Sequence, residues 1–191
     1  MGETTVELLG FDTTNPSSST QPPTHVIVQA GVGSLAGAIV EGLQQLFGTS
    51  IKVIVVEPTH ADAFFQSSCS SDGSPKSASG DLSTIMAGLA CREPNPLAWN
   101  ILKDCTDCFV TCPDAVAAKG MRLLANPLGQ DPRIISGESG AVPLGLLVEL
   151  CTNPLLQELK ETLQLNSSSR LFMINTEGDT DPESNQAICR K

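Results

Sequence analysis

Gly31 and Gly33 stand in the run Gln29-Ala30-Gly31-Val32-Gly33-Ser34-Leu35-Ala36-Gly37. Glycine leaves room for a phosphate to approach backbone N–H groups, and a helix beginning at Ser34 adds the partial positive charge of its N-terminus. The spacing fits G-x-G-x-x-A, and Glu57 follows Gly37 by twenty residues, where a dinucleotide site keeps its acidic ribose partner. Taken alone, these residues favour a nicotinamide or flavin site. The alternative is a glycine turn packed tightly beneath a helix.

Other clusters carry weaker chemistry. Cys105, Cys108 and Cys112, with Cys91 upstream, have ligand-like spacing for zinc. Cys108 and Cys112 also flank a run that reads as a buried strand, where free thiols behave as small hydrophobes. Glu177, Asp179 and Asp181 alternate just after the last expected strand, which suits either a Mg²⁺ site or a solvated acidic turn. His25 and His60 have no sequence-local partner to make a catalytic base, so both read as structural or surface residues. Ser139 lies in Gly137-Glu138-Ser139-Gly140, but Ala141 or Val142 stands where a nucleophile elbow needs its second glycine.

The elements that must position these residues alternate in type. His25–Gln29 is a short β-branched strand, Ser34–Phe47 an apolar helix stopped by Gly48, and Lys52–Val56 a second buried strand ending at Glu57-Pro58. This is a βαβ unit, whose crossover is right-handed. The serine-rich run Ser67–Gly80 reads as a flexible loop, and Asp81–Cys91 as an apolar segment of undecided state. A helix is expected over Asn95–Asp104, with Asn95 as N-cap and Pro96 at its first position. Next come a strand at Cys108–Cys112, an amphipathic helix at Asp114–Ala125 with Asp114 as its cap, and a short strand at Arg133–Ile135. Helices at Ser139–Leu150 and Leu155–Leu165 and a last strand at Arg170–Asn175 complete the pattern. The fold class is α/β: a doubly wound, mostly parallel sheet with helices on both faces. Residues 1–10 read as a helical stub and 11–23 as a Ser/Thr/Pro-rich linker, leaving 24–191 as the domain.

The chain's 191 residues suffice for one domain with its own core. A formal net charge of −10 argues against nucleic acid and membrane surfaces as partners, and only 4% of residues are aromatic, too few for base-stacking platforms. An anionic cofactor remains compatible, because one helix N-terminus binds a phosphate whatever the net charge. Seven cysteines is an odd count, and no signal-like or bilayer-length apolar segment is present. The expected setting is reducing and cytoplasmic.

Several segments converge on one resemblance. Thr24–Gly37 resembles the phosphate-loop region of the diaminopropionate ammonia-lyase family, fold-type II pyridoxal-phosphate (PLP) enzymes of the tryptophan synthase β-like group. Ile85–Cys91, Glu93–Pro96, Asp131–Ala141 and Asn175–Asp181 resemble the same family, in order along the chain. The resemblance implies that Gly31, Val32, Gly33, Ser34 and Leu35 hold the PLP phosphate. It implies too that the Thr176 hydroxyl faces the pyridine nitrogen and that Glu138 lies near the ring, while Glu57 becomes a strand-end acid. The implied reaction is elimination of 2,3-diaminopropionate to pyruvate and ammonia. The resemblance covers the C-terminal half of such an enzyme, and none of Lys52, Lys76, Lys103, Lys119, Lys160 or Lys191 stands in the context of the family's Schiff-base lysine. No catalytic residue is therefore assigned, and the expectation is a chain inactive alone, pairing with a separate N-terminal half or with a second copy. A non-catalytic truncated paralogue and a Rossmann-type NAD(P)-binding fragment are the alternatives.

Overall fold

The computed structural model describes residues 21–190. The stub expected over residues 1–10, and the linker as far as residue 20, lie outside them. His25–Gln29 (β1) and Lys52–Pro58 (β2) are β-branched runs buried on both faces, as central parallel strands must be. With Cys108–Cys112 (β3) and Leu171–Phe172 (β4) they form an all-parallel sheet in the order β3-β2-β1-β4. The helices are Ser34–Phe47 (α1), Ala63–Ser68 (α2), Pro96–Cys105 (α3), Asp114–Ala125 (α4), Glu138–Thr152 (α5), Gln157–Thr162 (α6) and Pro182–Cys189 (α7).

Alternation along the strands divides the core. Val26, Val28, Val53 and Val55 pack with Ile39, Val40 and Leu43 of α1 and with Trp99 and Leu102 of α3. Ile27, Ile54 and Val56 pack on the other face with Ala117 of α4 and Val142, Leu146 and Leu150 of α5. Helices α4 and α5 meet through reciprocal glycines: a methyl group at Gly145 would lie 2.0 Å from the Val116 carbonyl oxygen, and one at Gly120 2.1 Å from that of Ala141. From β1 the chain builds outward through β2 to β3, then returns to lay β4 against the other flank of β1. Strand order thus reverses between β1 and β4, and the crevice beyond their carboxyl ends is where open α/β sheets bind ligands.

Several expected elements differ in extent. Arg133–Ile135 is irregular, its backbone groups taken by other partners: Ile134 N bonds Leu124 O, and the Asn175 side chain takes the Ile135 carbonyl. The last strand shrinks from Arg170–Asn175 to two residues, and the Ile174 carbonyl is taken by the Gln29 side chain instead of a ladder partner. Leu155–Leu165 breaks into a 3₁₀ turn at Pro154–Leu156 and the shorter α6, ended by Gln164 at φ 57. Asp114 opens α4 but does not cap it; its carboxylate accepts from Thr84 Oγ1 and Ile85 N. The serine loop is anchored at both ends, by the end of α2 and by Asp62, which accepts from Ser79 N and Ser79 Oγ. Asn95 caps α3 as expected, accepting from Leu97 N at 2.9 Å.

Candidate functional site

The turn from β1 into α1 is built to stay open. Gly33 caps α1 at φ 86, a conformation that only glycine adopts without strain, and a methyl group there would fall 2.1 Å from Phe64 Cζ. A methyl on Gly31 would sit 2.9 Å from Gly88 O and 3.1 Å from Cys91 Sγ. No side chain caps α1 and no acidic residue occupies its first turn, so its leading N–H groups keep their charge for a ligand. Asn95 pins the turn from outside, donating its N–H to Val32 O at 2.8 Å and its Nδ2 to Ser34 Oγ at 3.1 Å.

Facing this turn are the 3₁₀ segment Ala87–Leu89, the start of α5 and the chain beyond β4. Together they enclose a cleft of about 260 Å³. Gly31, Val32, Gly33, Ser34, Leu35 and Thr176 all line it, with Gly88, Cys91, Ser139 and Glu177 among their neighbours. Six of the seven residues that the resemblance assigns to the cofactor therefore share one cleft. Glu138 does not line it; it occupies the first turn of α5, and Glu177 is the acid on the wall. The Glu177 carboxylate accepts from Ser139 N at 2.7 Å and so caps α5.

Gln29, quoted in the motif but given no role, ties the two strand ends together. Its Nε2 donates to Ile174 O at 3.0 Å and to Thr176 Oγ1 at 2.9 Å. Gln29 and Ser139 are 2% and 4% exposed, yet Gln29 Oε1 and Ser139 Oγ have no hydrogen-bond partner among the described residues. A polar side chain closing the apolar run Val26-Ile27-Val28 was the available signal for Gln29. Ser139 has no base beside it.

A family model for pyridoxal-phosphate-dependent enzymes matches residues 2–166. The chain belongs to that family. Diaminopropionate ammonia-lyase of Escherichia coli strain K12 is 51% identical over 160 residues, covering 83% of this chain and 40% of the relative. That of Salmonella typhimurium is 49% identical over 163 residues, covering 84% and 40%. The crystal structure of the Escherichia coli enzyme with an aminoacrylate-PLP azomethine reaction intermediate superposes with a TM-score of 0.83 at 42% identity, over 98% of this chain and 46% of that one. This PLP-family chain thus spans less than half the length of the relatives it matches.

In this PLP-family chain the residues of the competing readings go elsewhere. Glu57 is 0% exposed, and its two oxygens accept from Phe64 N at 2.9 Å and Phe65 N at 2.8 Å. It starts α2 from inside and is not available to a ribose. Burial pushes its carboxyl up to about 8, against the pull of the two N–H groups. Cys105 packs on the α1/α3 face of the sheet and donates to Gln44 Oε1, whereas Cys108 and Cys112 lie on the opposite face. Burial raises both of those thiols, Cys112 to about 12. No group of three or more metal-ligating side chains forms among the described residues. Asp181 caps α7 by accepting from Ser184 N. His25 is buried and structural, its ring nitrogens against Leu163 O and Thr24 Oγ1, and exposed His60 pairs with Asp81. No single helix among the described residues is long and apolar enough to cross a membrane.

Proposed function

We propose that this chain is the cofactor-phosphate-binding half of a PLP-dependent ammonia-lyase acting on 2,3-diaminopropionate. The observation that carries the reading is the cleft at the β1/β4 switch point, floored by the uncapped N-terminus of α1. Gly31, Val32, Gly33, Ser34 and Leu35 suit a phosphate: backbone N–H groups, close access where Cβ atoms are missing, and no competing carboxylate in the first turn. The buried, unpartnered Gln29 Oε1 and Ser139 Oγ add polar capacity that a cofactor's own groups can satisfy. Thr176 supplies a neutral hydroxyl opposite the glycine turn, for the pyridine nitrogen. Glu138 stands one residue before Ser139 and is kept as a more remote acid near the ring.

PLP, when bound, supplies the electron sink that makes an amino acid's α-proton removable. This chain's residues bind and orient it, and no catalytic residue is assigned among them. Among the described residues no lysine lines the cleft: Lys52, Lys76 and Lys119 are ion-paired to Asp107, Asp72 and Glu149, and Lys103 and Lys160 lie on α3 and α6. The amino group that would hold PLP covalently is accordingly assigned to a partner: a separate N-terminal half or a second copy. Alone, the chain acts as a non-catalytic PLP-binding module.

Titration with PLP and with pyridoxal tests this. The expected result is saturable binding that depends on the phosphate, with no pyruvate formed from 2,3-diaminopropionate until the N-terminal half is added. Equal binding of pyridoxal and PLP would contradict the phosphate assignment. Pyruvate formation by the chain alone would contradict the partner assignment.

A further inference from the structure

Glu57 is buried at the end of β2 and does not line the cleft, yet it is tied to the cleft floor through α2. The first N–H groups of a helix need acceptors, and α2 has no side-chain cap. Asp62, at its N-cap, turns away to accept from Ser79 N at 2.7 Å, Ser79 Oγ at 2.8 Å and Gln66 Nε2 at 2.7 Å. Glu57 supplies the acceptors instead, one oxygen to Phe64 N and the other to Phe65 N. Its own strand is held on both sides: Val56 O accepts from Ala30 N at 2.9 Å, and Glu57 pairs in register with Thr111 of β3. The carboxyl thus fixes the start of α2 to the sheet.

Phe64 carries that constraint to the glycine turn. Its Cζ stands 2.1 Å from where a Gly33 Cβ would be, so the ring fills the space that the glycine leaves. Phe109 stacks on the ring and Trp99 tilts against it, which closes its sideways routes. Gly33 holds φ 86 against this ring as the cap of α1. A backbone N–H holds an oxygen well only within about 2.7–3.2 Å. A shift of a few tenths of an ångström in the ring is therefore felt by whatever the turn binds.

We propose that Glu57 is a positioning residue for the cofactor phosphate: through the first turn of α2 it holds the Phe64 ring against Gly33, and so sets where the N–H groups of the glycine turn stand. The inference rests on the reading of the cleft as a PLP site, and it goes further by naming the two buried side chains that place the turn. Glu57 acts through Phe64 and touches no cofactor atom.

The test titrates the full chain with pyridoxine 5′-phosphate, which has no aldehyde to react with lysines, and follows the ³¹P resonance of the bound phosphate. A carboxyl offers an acceptor at each oxygen and an amide at only one, so Glu57→Gln releases one of the two N–H groups. It should weaken binding by about threefold to tenfold, the worth of one ordinary hydrogen bond, and shift the bound ³¹P signal. Glu57→Asp, one methylene shorter, should shift it too, and serves if Glu57→Gln does not fold. Phe64→Leu removes the ring tip and should reproduce both effects. In that background a change at Glu57 should add little to either readout, because its route to the turn is gone. Gly145→Ala perturbs the α4–α5 contact outside the cleft lining and should leave affinity and ³¹P signal as in the parent. Phosphate-dependent binding that no change at Glu57 or Phe64 alters overturns the proposal and leaves the PLP site standing. So do additive losses from the two positions, or an equal loss in Gly145→Ala. Absence of saturable binding to the parent overturns both readings.

Discussion

Replacing Gly33 with alanine perturbs the floor of the cleft at one atom. The structure separates its two costs. Holding a residue with a Cβ at φ 86 costs about 1–2 kcal/mol. The added methyl would lie 2.1 Å from Phe64 Cζ and 2.7 Å from Cε2. That ring cannot step aside: Phe64 is 0% exposed, stacked on Phe109 with centroids 6.3 Å apart and tilted against Trp99 at 6.2 Å. Overpacking of this kind adds about 1–3 kcal/mol. Gly33→Ala is therefore expected to destabilise by about 2–5 kcal/mol, read as a lowered urea midpoint at unchanged slope. In a Phe64→Leu background the steric part disappears, so the same substitution should cost only about 1–2 kcal/mol. A Gly33→Ala chain within about 0.5 kcal/mol of its parent, the range of an unremarkable surface change, would refute the reasoning. So would an equal cost in both backgrounds.

Glu57 gives stability a pH dependence of unusual sign. Its carboxyl rises from the ordinary 4.5 to about 8 on folding, so the folded state holds a proton that the unfolded state releases. The contribution is full below pH 4.5 and is lost as pH climbs toward about 8. The loss is on the order of a few kcal/mol, since each pH unit of that window is worth about 1.4 kcal/mol. Glu57→Gln should flatten that part of a urea-midpoint profile, and parallel profiles for the two chains would count against it. Gly145→Ala should cost about 2 kcal/mol or more in the same assay, because its methyl would meet the Val116 carbonyl at 2.0 Å with helix backbone on both sides. Asn95→Ala removes both the α3 cap and the tether to Ser34, and should cost about 1–2 kcal/mol while weakening PLP binding.

What could be foreseen from the sequence was local. The glycine turn before an apolar helix, Asn95 before Pro96, and the β-branched runs at β1 and β2 each announce themselves within a few residues. Glu57 was ambiguous because a fingerprint cannot say whether an acid at a strand end turns outward to a ribose or inward. Here α2 begins six residues later and claims both oxygens. Ile134 and Ile135 have strand propensity, but their backbone groups bond Leu124 O and the Asn175 side chain instead of a ladder, and they remain 40% and 51% exposed. Gln29 could not be assigned at all, since its partners Ile174 and Thr176 lie more than 140 residues away in sequence and reach it only when β4 pairs with β1. The same distance separates the glycine turn from Thr176. In the sequence, only the resemblance to the lyase family relates those two segments, which line one cleft. It also nominated Glu138, where Glu177 is the acid on the cleft wall.

The central claim is that the first N–H groups of α1 hold the phosphate of PLP. Backbone amide NMR of the full chain, titrated with pyridoxine 5′-phosphate and with pyridoxine, tests it most directly. The account predicts saturable shifts of the Gly31, Val32, Gly33, Ser34 and Leu35 amides with the phosphorylated compound and none with the other. Equal shifts with both compounds, or shifts confined to residues outside the cleft, would contradict it.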